Sequence, residues 1–210
     1  MIVTLEARAK INLGLRILGR RHDGFHDIRS VFQEISLSDA VRVSVEPGIG
    51  SVSVECSAED IPSDKSNIAC KAADAFLQSI PESLNVEIAL EKNIPSKAGL
   101  GGGSSNAAAV LKGLSELTGK SDVDLLSIAE SLGSDVPFFL NGGAAMIAGR
   151  GEKITQIPVI PFHAVLIHPE IRVSTPWAYR IWDENVSTSL TSNTMIKHYS
   201  ASSAVWHEGK

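Results

Sequence analysis

Apolar and polar residues alternate through much of the first quarter of the chain. The stretches Ile2 to Ala7, Asn12 to Leu18, Ile28 to Leu37, Ala40 to Val45 and Val52 to Cys56 carry β-branched residues at period two, separated by Gly, Asp and Pro. That pattern predicts strands of an antiparallel-rich sheet, because successive side chains of a strand point to opposite faces. The period then changes. Between Ser66 and Ile80, residues Ile68, Ala72, Ala75, Phe76 and Ser79 share one helical face, Pro81 ends the helix, and Leu84 to Leu90 resumes as a strand. Ser104 to Leu117 and Asp122 to Leu132 predict two further helices stopped by Gly119 and Gly133. Ala144 to Ile147, Lys153 to Ile157 and Ala164 to Ile167 predict short strands, and Trp177 to Trp182 a helix. Ser187 to Lys210, rich in Ser and Thr, reads as a loop or a frayed end. The class is α+β. Pro158 and Pro161 mark an expected boundary between an N-terminal unit, 1–157, and a partial C-terminal one, 158–210.

Composition narrows the partners. The 210 residues are 43% hydrophobic, enough for a real core, and the net charge of −5 comes without a basic tract. A nucleic-acid partner is therefore not expected, whereas a single phosphorylated ligand is compatible. Cys56 and Cys70 are the only cysteines, too few for a disulfide framework and without zinc spacing, which fits a reducing, cytoplasmic setting. No leader pattern opens the chain and no apolar run approaches a membrane span, so a soluble protein without a membrane partner is expected, as a monomer or homodimer.

The candidate chemistry lies between the strand ending at Leu90 and the alanine-rich helix. Ile94-Pro95-Ser96-Lys97-Ala98-Gly99-Leu100-Gly101-Gly102-Gly103-Ser104-Ser105-Asn106-Ala107 runs a flexible turn straight into a helix. Glycines let successive backbone N–H groups approach phosphate oxygens, and the positive end of the following helix faces the same anion. Lys97 could add a point charge. No Lys-Ser or Lys-Thr follows the last glycine and the G-x-G-x-x-G spacing is absent, so neither a Walker loop nor a dinucleotide turn is present. His22 and His26 are four apart, but Gly24 between them argues against a metal pair on one helical face.

Gly99-Leu-Gly-Gly-Gly-Ser-Ser-Asn-Ala-Ala-Ala resembles the ATP loop of the GHMP kinase superfamily, whose members act on galactose, homoserine, mevalonate and phosphomevalonate. Ala9-Lys-Ile-Asn-Leu-Gly-Leu, Gly19-Arg-Arg-His-Asp-Gly-Phe-His26, Ser30-Val-Phe-Gln33 and Leu132-Gly-Ser-Asp-Val-Pro-Phe-Phe-Leu140 are similar to the 4-diphosphocytidyl-2-C-methyl-D-erythritol kinase family within it. The resemblance implies a two-lobed fold whose N-terminal lobe is like domain 2 of ribosomal protein S5. It implies ATP-dependent phosphorylation, with Mg²⁺, of the 2-hydroxyl of that small molecule in the non-mevalonate isoprenoid pathway, in the bacterial cytosol.

Residue by residue, the resemblance makes Asp135 and Lys10 the catalytic pair. Asp135 would accept the hydroxyl proton, with a helix cap as its alternative reading, and Lys10 would keep that carboxylate ionised. Asn67, Pro95, Lys97, Gly99, Gly101, Gly102, Gly103, Ser104 and Ser105 would hold ATP, Asn67 near the adenine and Ser105 near the phosphates or their metal. Asn12, Phe25, His26, Thr175 and Tyr179 would hold the substrate, with Phe25 and Tyr179 as two slabs around cytosine and His26 on its edge.

The chain departs from the family in two respects. Phe25 stands where most members have Tyr, which keeps the stacking face and drops a hydroxyl. The family also continues past Lys210 with an Asn-Asp-Phe-Glu-like block and a glycine- and serine-rich third motif, so a shortened product or fragment is expected. Two other readings follow, a fragment that binds nucleotide or cytidine ligand without turnover and a kinase of the homoserine or mevalonate type.

Overall fold

The computed structural model describes residues 1–168 and 174–188, and of 175, 176 and 186–188 the backbone alone. Residues 169–173 and 189–210, the latter most of the stretch from Ser187 to Lys210, lie outside the described residues.

Two long strands dominate the sheet: β1 (Ile2–Arg20) and β2 (His26–Pro47), antiparallel from Ile2↔Ser44 to Arg20↔His26. The expectation of four separate strands over these residues is corrected. Register shifts between Arg8 and Lys10, Asn12 and Gly14, and Ile17 and Gly19 break the alternation without breaking the pairing. A bulge changes which face the following residues occupy, so the interrupted period looks like a gap in the sequence. The other edge of β2 pairs with β4 (Leu84–Glu91) over its second half and β5 (Ala144–Gly149) over its first. β3 (Val52–Cys56) runs parallel to β4, and β6 (Lys153–Ile157) antiparallel to β5, giving the order β3-β4-β2-β5-β6 with β1 on β2.

Helices α1 (Ile68–Gln78), α2 (Gly102–Thr118), α3 (Leu125–Leu132) and α4 (Val136–Asn141) complete this α+β unit. Val41, Val43 and Val45 of β2 and Val86, Ile88 and Leu90 of β4 bury the alternate face against Ala72, Ala73 and Phe76 of α1 and Val110, Leu111 and Leu114 of α2. Small residues let the layers approach. A Cβ at Gly113 would stand 3.0 Å from Leu5 Cδ1 and 3.2 Å from Val3 Cγ1, so this glycine lets α2 lie against β1. α1 begins at Asn67 and α3 at Asp124, whose side chains accept from Ala69 N and Ser127 N, and α2 ends at Gly119 with φ of 68°. α4, anticipated only by the alternative reading of Asp135 as a helix cap, is a short turn of helix entered through Pro137.

The strand expected at Ala164 to Ile167 does not form. Residues 158–168 carry neither helix nor strand, and Val165 and Ile167 are exposed. Pro158 and Pro161 remove amide donors here, and no strand among the described residues pairs with the segment. It is nonetheless tied to the sheet: Gln33 Nε2 donates to Ile160 O at 2.7 Å and Ile160 N donates to Gln33 Oε1 at 3.1 Å. The helix expected at Trp177 to Trp182 is longer, α5 (Thr175–Thr188).

A buried charged cluster joins these layers. Lys92, its side chain 5% exposed, pairs with the fully buried carboxylate of Asp39 and donates to Asn106 Oδ1 at 2.8 Å. Asp39 also accepts from Asn106 Nδ2 at 2.9 Å and from the backbone N–H groups of Asn93 and Ile94 at 2.7 and 2.8 Å. Asp39→Ala would leave the Lys92 ammonium buried without its counter-ion, at a cost of about 3–5 kcal/mol. Urea unfolding is expected to show that loss, and a change below about 1 kcal/mol would contradict the role assigned to the cluster.

Candidate active site

The glycine loop is fastened to β1. Lys10 N donates to Leu100 O at 2.9 Å, next to the bulge that follows Arg8. Gly99 and Gly101 both take φ of 74°, and Lys97 takes 56°, in the left-handed region. Gly101 is the N-cap of α2, no side chain caps that end and no acidic residue lies in its first turn. The N–H groups of the first turn therefore point out of the helix without a side-chain acceptor, at the positive end of a helix of 17 residues. Ser104 and the buried Ser105 follow, and Ser105 N already donates to Gly101 O at 2.8 Å. Pro95 and Lys97 are exposed on the approach to the turn.

Lys10 is only 6% exposed. Its ammonium donates to Asn12 Oδ1 at 2.8 Å, lies 4.3 Å over the Phe32 ring, and sits 3.6 Å from Asp135 Oδ2. Asn12 is held in turn by Ser30, whose Oγ accepts from Asn12 Nδ2 at 3.3 Å and donates to Gly14 O at 2.6 Å. Asp135 occupies the N-cap position of α4 but makes no side-chain cap bond. Its carboxylate, 31% exposed, faces Lys10 and solvent instead. The arrangement pairs a fixed cation with an accessible proton acceptor beside an open helix N-terminus.

A second group of side chains adjoins the first. Burial, and after it the negative charge of Asp135, push the Tyr179 phenol above its usual range, so α5 approaches Asp135. Tyr179 also stacks on His26, centroids 4.6 Å apart and planes at 20°, which closes the gap between those two rings. Phe25, in the turn before β2, is 53% exposed, with the Arg150 guanidinium 5.2 Å from its ring. Thr175 opens α5, and its side chain lies outside the described residues.

Lys10, Asn12, the glycine turn, Asp135, Tyr179 and His26 thus form one connected line. Asn67 stands apart from it chemically: its Oδ1 accepts from Ala69 N at 2.9 Å, capping α1, and its Nδ2 donates to Pro62 O at 2.7 Å in the preceding loop, so both ends of the amide are occupied. The neighbouring Ile68 still borders the loop, 3.5 Å from where a Gly103 Cβ would stand. Sequence reasoning assigns no role to Ser30, Phe32, Asp39, Lys92, Trp182 or Asp183. Ser30 and Phe32 figured there only within the Ser30-Val-Phe-Gln33 block, and Asn106 only within the glycine-loop stretch. A cavity of about 500 Å³ opens elsewhere on the sheet, between Thr4, Arg42, Glu55, Cys56 and Glu91, and shares no residue with the line from Lys10 to Tyr179.

Two glycines of the turn should respond differently to a methyl group. A Cβ at Gly101 would lie 2.7 Å from Phe139 Cζ and 3.2 Å from Lys10 Cγ, whereas one at Gly99 meets nothing within 4 Å. Gly99→Ala is expected to cost the left-handed penalty alone, about 1–2 kcal/mol, and Gly101→Ala a further ~1–3 kcal/mol of overpacking. Equal losses in urea unfolding would contradict this packing of the loop on Lys10.

Residues 67–143 match the family model described as GHMP kinases N terminal domain. A 4-diphosphocytidyl-2-C-methyl-D-erythritol kinase of Solibacter usitatus is 42% identical over 210 residues, 98% of this chain and 66% of its own length. That of Geobacter metallireducens is 44% identical over 181 residues, 85% of this chain and 64% of its own. The chain spans a little under two thirds of these relatives. A crystal structure of 4-(cytidine 5'-diphospho)-2C-methyl-D-erythritol kinase superposes with a TM-score of 0.71 at 40% identity, over 85% of this chain and 63% of that one. A homoserine kinase from Cytophaga hutchinsonii shares the fold, with a TM-score of 0.61 at 22% identity over 86% of this chain and 59% of that one.

Proposed function

We propose that the chain is a GHMP kinase that transfers the γ-phosphoryl group of ATP to the 2-hydroxyl of 4-diphosphocytidyl-2-C-methyl-D-erythritol, in the cytoplasm. The observation that carries this reading is the Lys10 ammonium 3.6 Å from the Asp135 carboxylate, on a strand whose backbone is bonded to the glycine loop. The names of relatives at 42% and 44% identity support the choice of substrate.

In this mechanism the substrate hydroxyl oxygen bonds to the γ-phosphorus as the bond from that phosphorus to the bridging β–γ oxygen breaks, and ADP leaves. Asp135 takes the hydroxyl proton. Lys10 faces the carboxylate and offsets charge on the reacting oxygens, while Asn12 fixes the ammonium and orients the hydroxyl. Backbone N–H groups at Gly99 and from Gly101 to Ser104 cradle the triphosphate, with Pro95 and Lys97 at its entrance. Asn67 acts near the adenine through its position under α1, its amide being occupied by the cap.

The donor set the chain offers magnesium is the Ser105 hydroxyl, a hard oxygen. No group of three or more His, Cys, Asp or Glu among the described residues could hold an ion alone. This set fits Mg²⁺ carried chiefly by phosphate oxygens, where it would neutralise charge on the transferred group.

For the substrate, Phe25 offers an exposed ring face to cytosine, His26 its imidazole edge, and Tyr179 approaches from α5, the helix that Thr175 opens. We divide the chain into a nucleotide-binding unit, 1–157, and the start of a substrate-binding unit, 158–210. No helix among the described residues is long and apolar enough to cross a membrane.

ADP formation by the 210-residue chain with Mg-ATP and 4-diphosphocytidyl-2-C-methyl-D-erythritol tests the reading. Asp135→Asn is expected to lower kcat by on the order of 10²- to 10⁴-fold with little change in KM for ATP. Substrate-dependent turnover that survives the substitution would contradict the role of Asp135. Binding of both ligands without ADP formation would identify a chain that holds its ligands and does not turn over.

A further inference from the structure

α5 brings three side chains onto His26. Tyr179 covers one face of the imidazole, Trp182 meets it edge-on with centroids 5.6 Å apart and planes at 90°, and Asp183 Oδ1 lies 2.7 Å from Nε2. Positions 179, 182 and 183 are spaced i, i+3 and i+4, so one side of the helix presents all three. The other Asp183 oxygen, Oδ2, faces Arg20 Nη1 at 3.7 Å. His26 is 9% exposed, and turning its ring over would break the Asp183 contact and disturb both aromatic contacts.

A carboxylate only accepts hydrogen bonds, so the imidazole nitrogen facing it carries the proton. Nε2–H then donates to Asp183, and in the neutral ring Nδ1 is left with its lone pair as an acceptor. A carboxylate behind a histidine fixes tautomer and orientation together.

We propose that Asp183 is a positioning residue that holds His26 with Nε2 protonated, makes Nδ1 an acceptor for the exocyclic amino group of a cytosine-type base, and so selects cytidine over uridine nucleotides. The proposal rests on the reading of His26 as the residue that meets the base. Cytosine presents an amino donor where uracil presents a carbonyl acceptor. An Nδ1 lone pair bonds the first and is repelled by the second, whereas the other tautomer would reverse the preference.

The test is calorimetric binding of CDP and of UDP to the 210-residue chain, with imidazole ¹⁵N shifts of His26 read on the same samples. Wild type, Asp183→Asn and Arg20→Ala are compared. Wild type is expected to prefer CDP by on the order of tenfold and to show His26 as the Nε2–H tautomer. Asp183→Asn keeps the side-chain shape, and is expected to bring the two affinities towards parity and mix the tautomers. Arg20→Ala removes the outer contact of Asp183 and is expected to leave both readouts unchanged. Full CDP preference in Asp183→Asn, or a proton on Nδ1 in wild type, overturns the proposal. Absence of CDP binding by wild type with the Nε2–H tautomer intact overturns the reading of His26 as the base contact, and with it the selectivity assigned to Asp183.

Discussion

Lys92, Asp39 and Asn106 meet inside the protein, at the junction of the sheet, the glycine loop and the helix that follows it. Taking an ammonium and a carboxylate out of water costs several kcal/mol per ion, and their attraction offsets this only when the remaining hydrogen-bonding capacity is also filled. Here it is filled. Asp39 takes four donors, two from side chains and two from the backbone of Asn93 and Ile94. Those two backbone groups are the start of the segment that becomes the glycine loop, and Asn106 lies in the second turn of α2. The loop is thus anchored on both sides to one buried carboxylate, and its glycines take left-handed conformations between fixed ends.

From this anchor the order of the site follows. The Leu100 carbonyl reaches the Lys10 amide, and the absence of a Cβ at Gly101 leaves room for the Lys10 stem and the Phe139 ring. Lys10 can then lie over Phe32 with its ammonium between Asn12 and Asp135. A cation placed this way needs no rearrangement when charge develops nearby, which is the economical form of electrostatic catalysis. Asp135, in turn, is kept at a helix start without spending its carboxylate on the cap.

Local chemistry made much of this legible from sequence. Alternation, helical period and stop glycines identified β3, β4, α1, α2 and α3, and the glycine run marked the candidate anion site by its lack of side chains. What the sequence hid depends on contacts between distant residues. Bulges in β1 broke the alternation, so a continuous strand read as two. Asp39 and Lys92 carry no local signal, because only the fold shows that each is the other's partner, 53 positions away. Asn67 was assigned by resemblance to a place near a ligand, and its amide proves to serve as a helix cap. Asp183 gave no local signal, since its meaning comes from His26, 157 positions earlier.

The central claim is that the N-terminus of α2, bound to the backbone of Lys10, receives the triphosphate. Backbone amide shifts of the ¹⁵N-labelled chain, recorded on addition of magnesium and a non-hydrolysable ATP analogue, test this most directly. The account predicts the largest changes at Gly101, Gly102, Gly103 and Ser104, with a smaller one at Lys10. Unmoved glycine amides, with changes centred instead on Arg42, Glu55 and Glu91 around the cavity on the sheet, would contradict it.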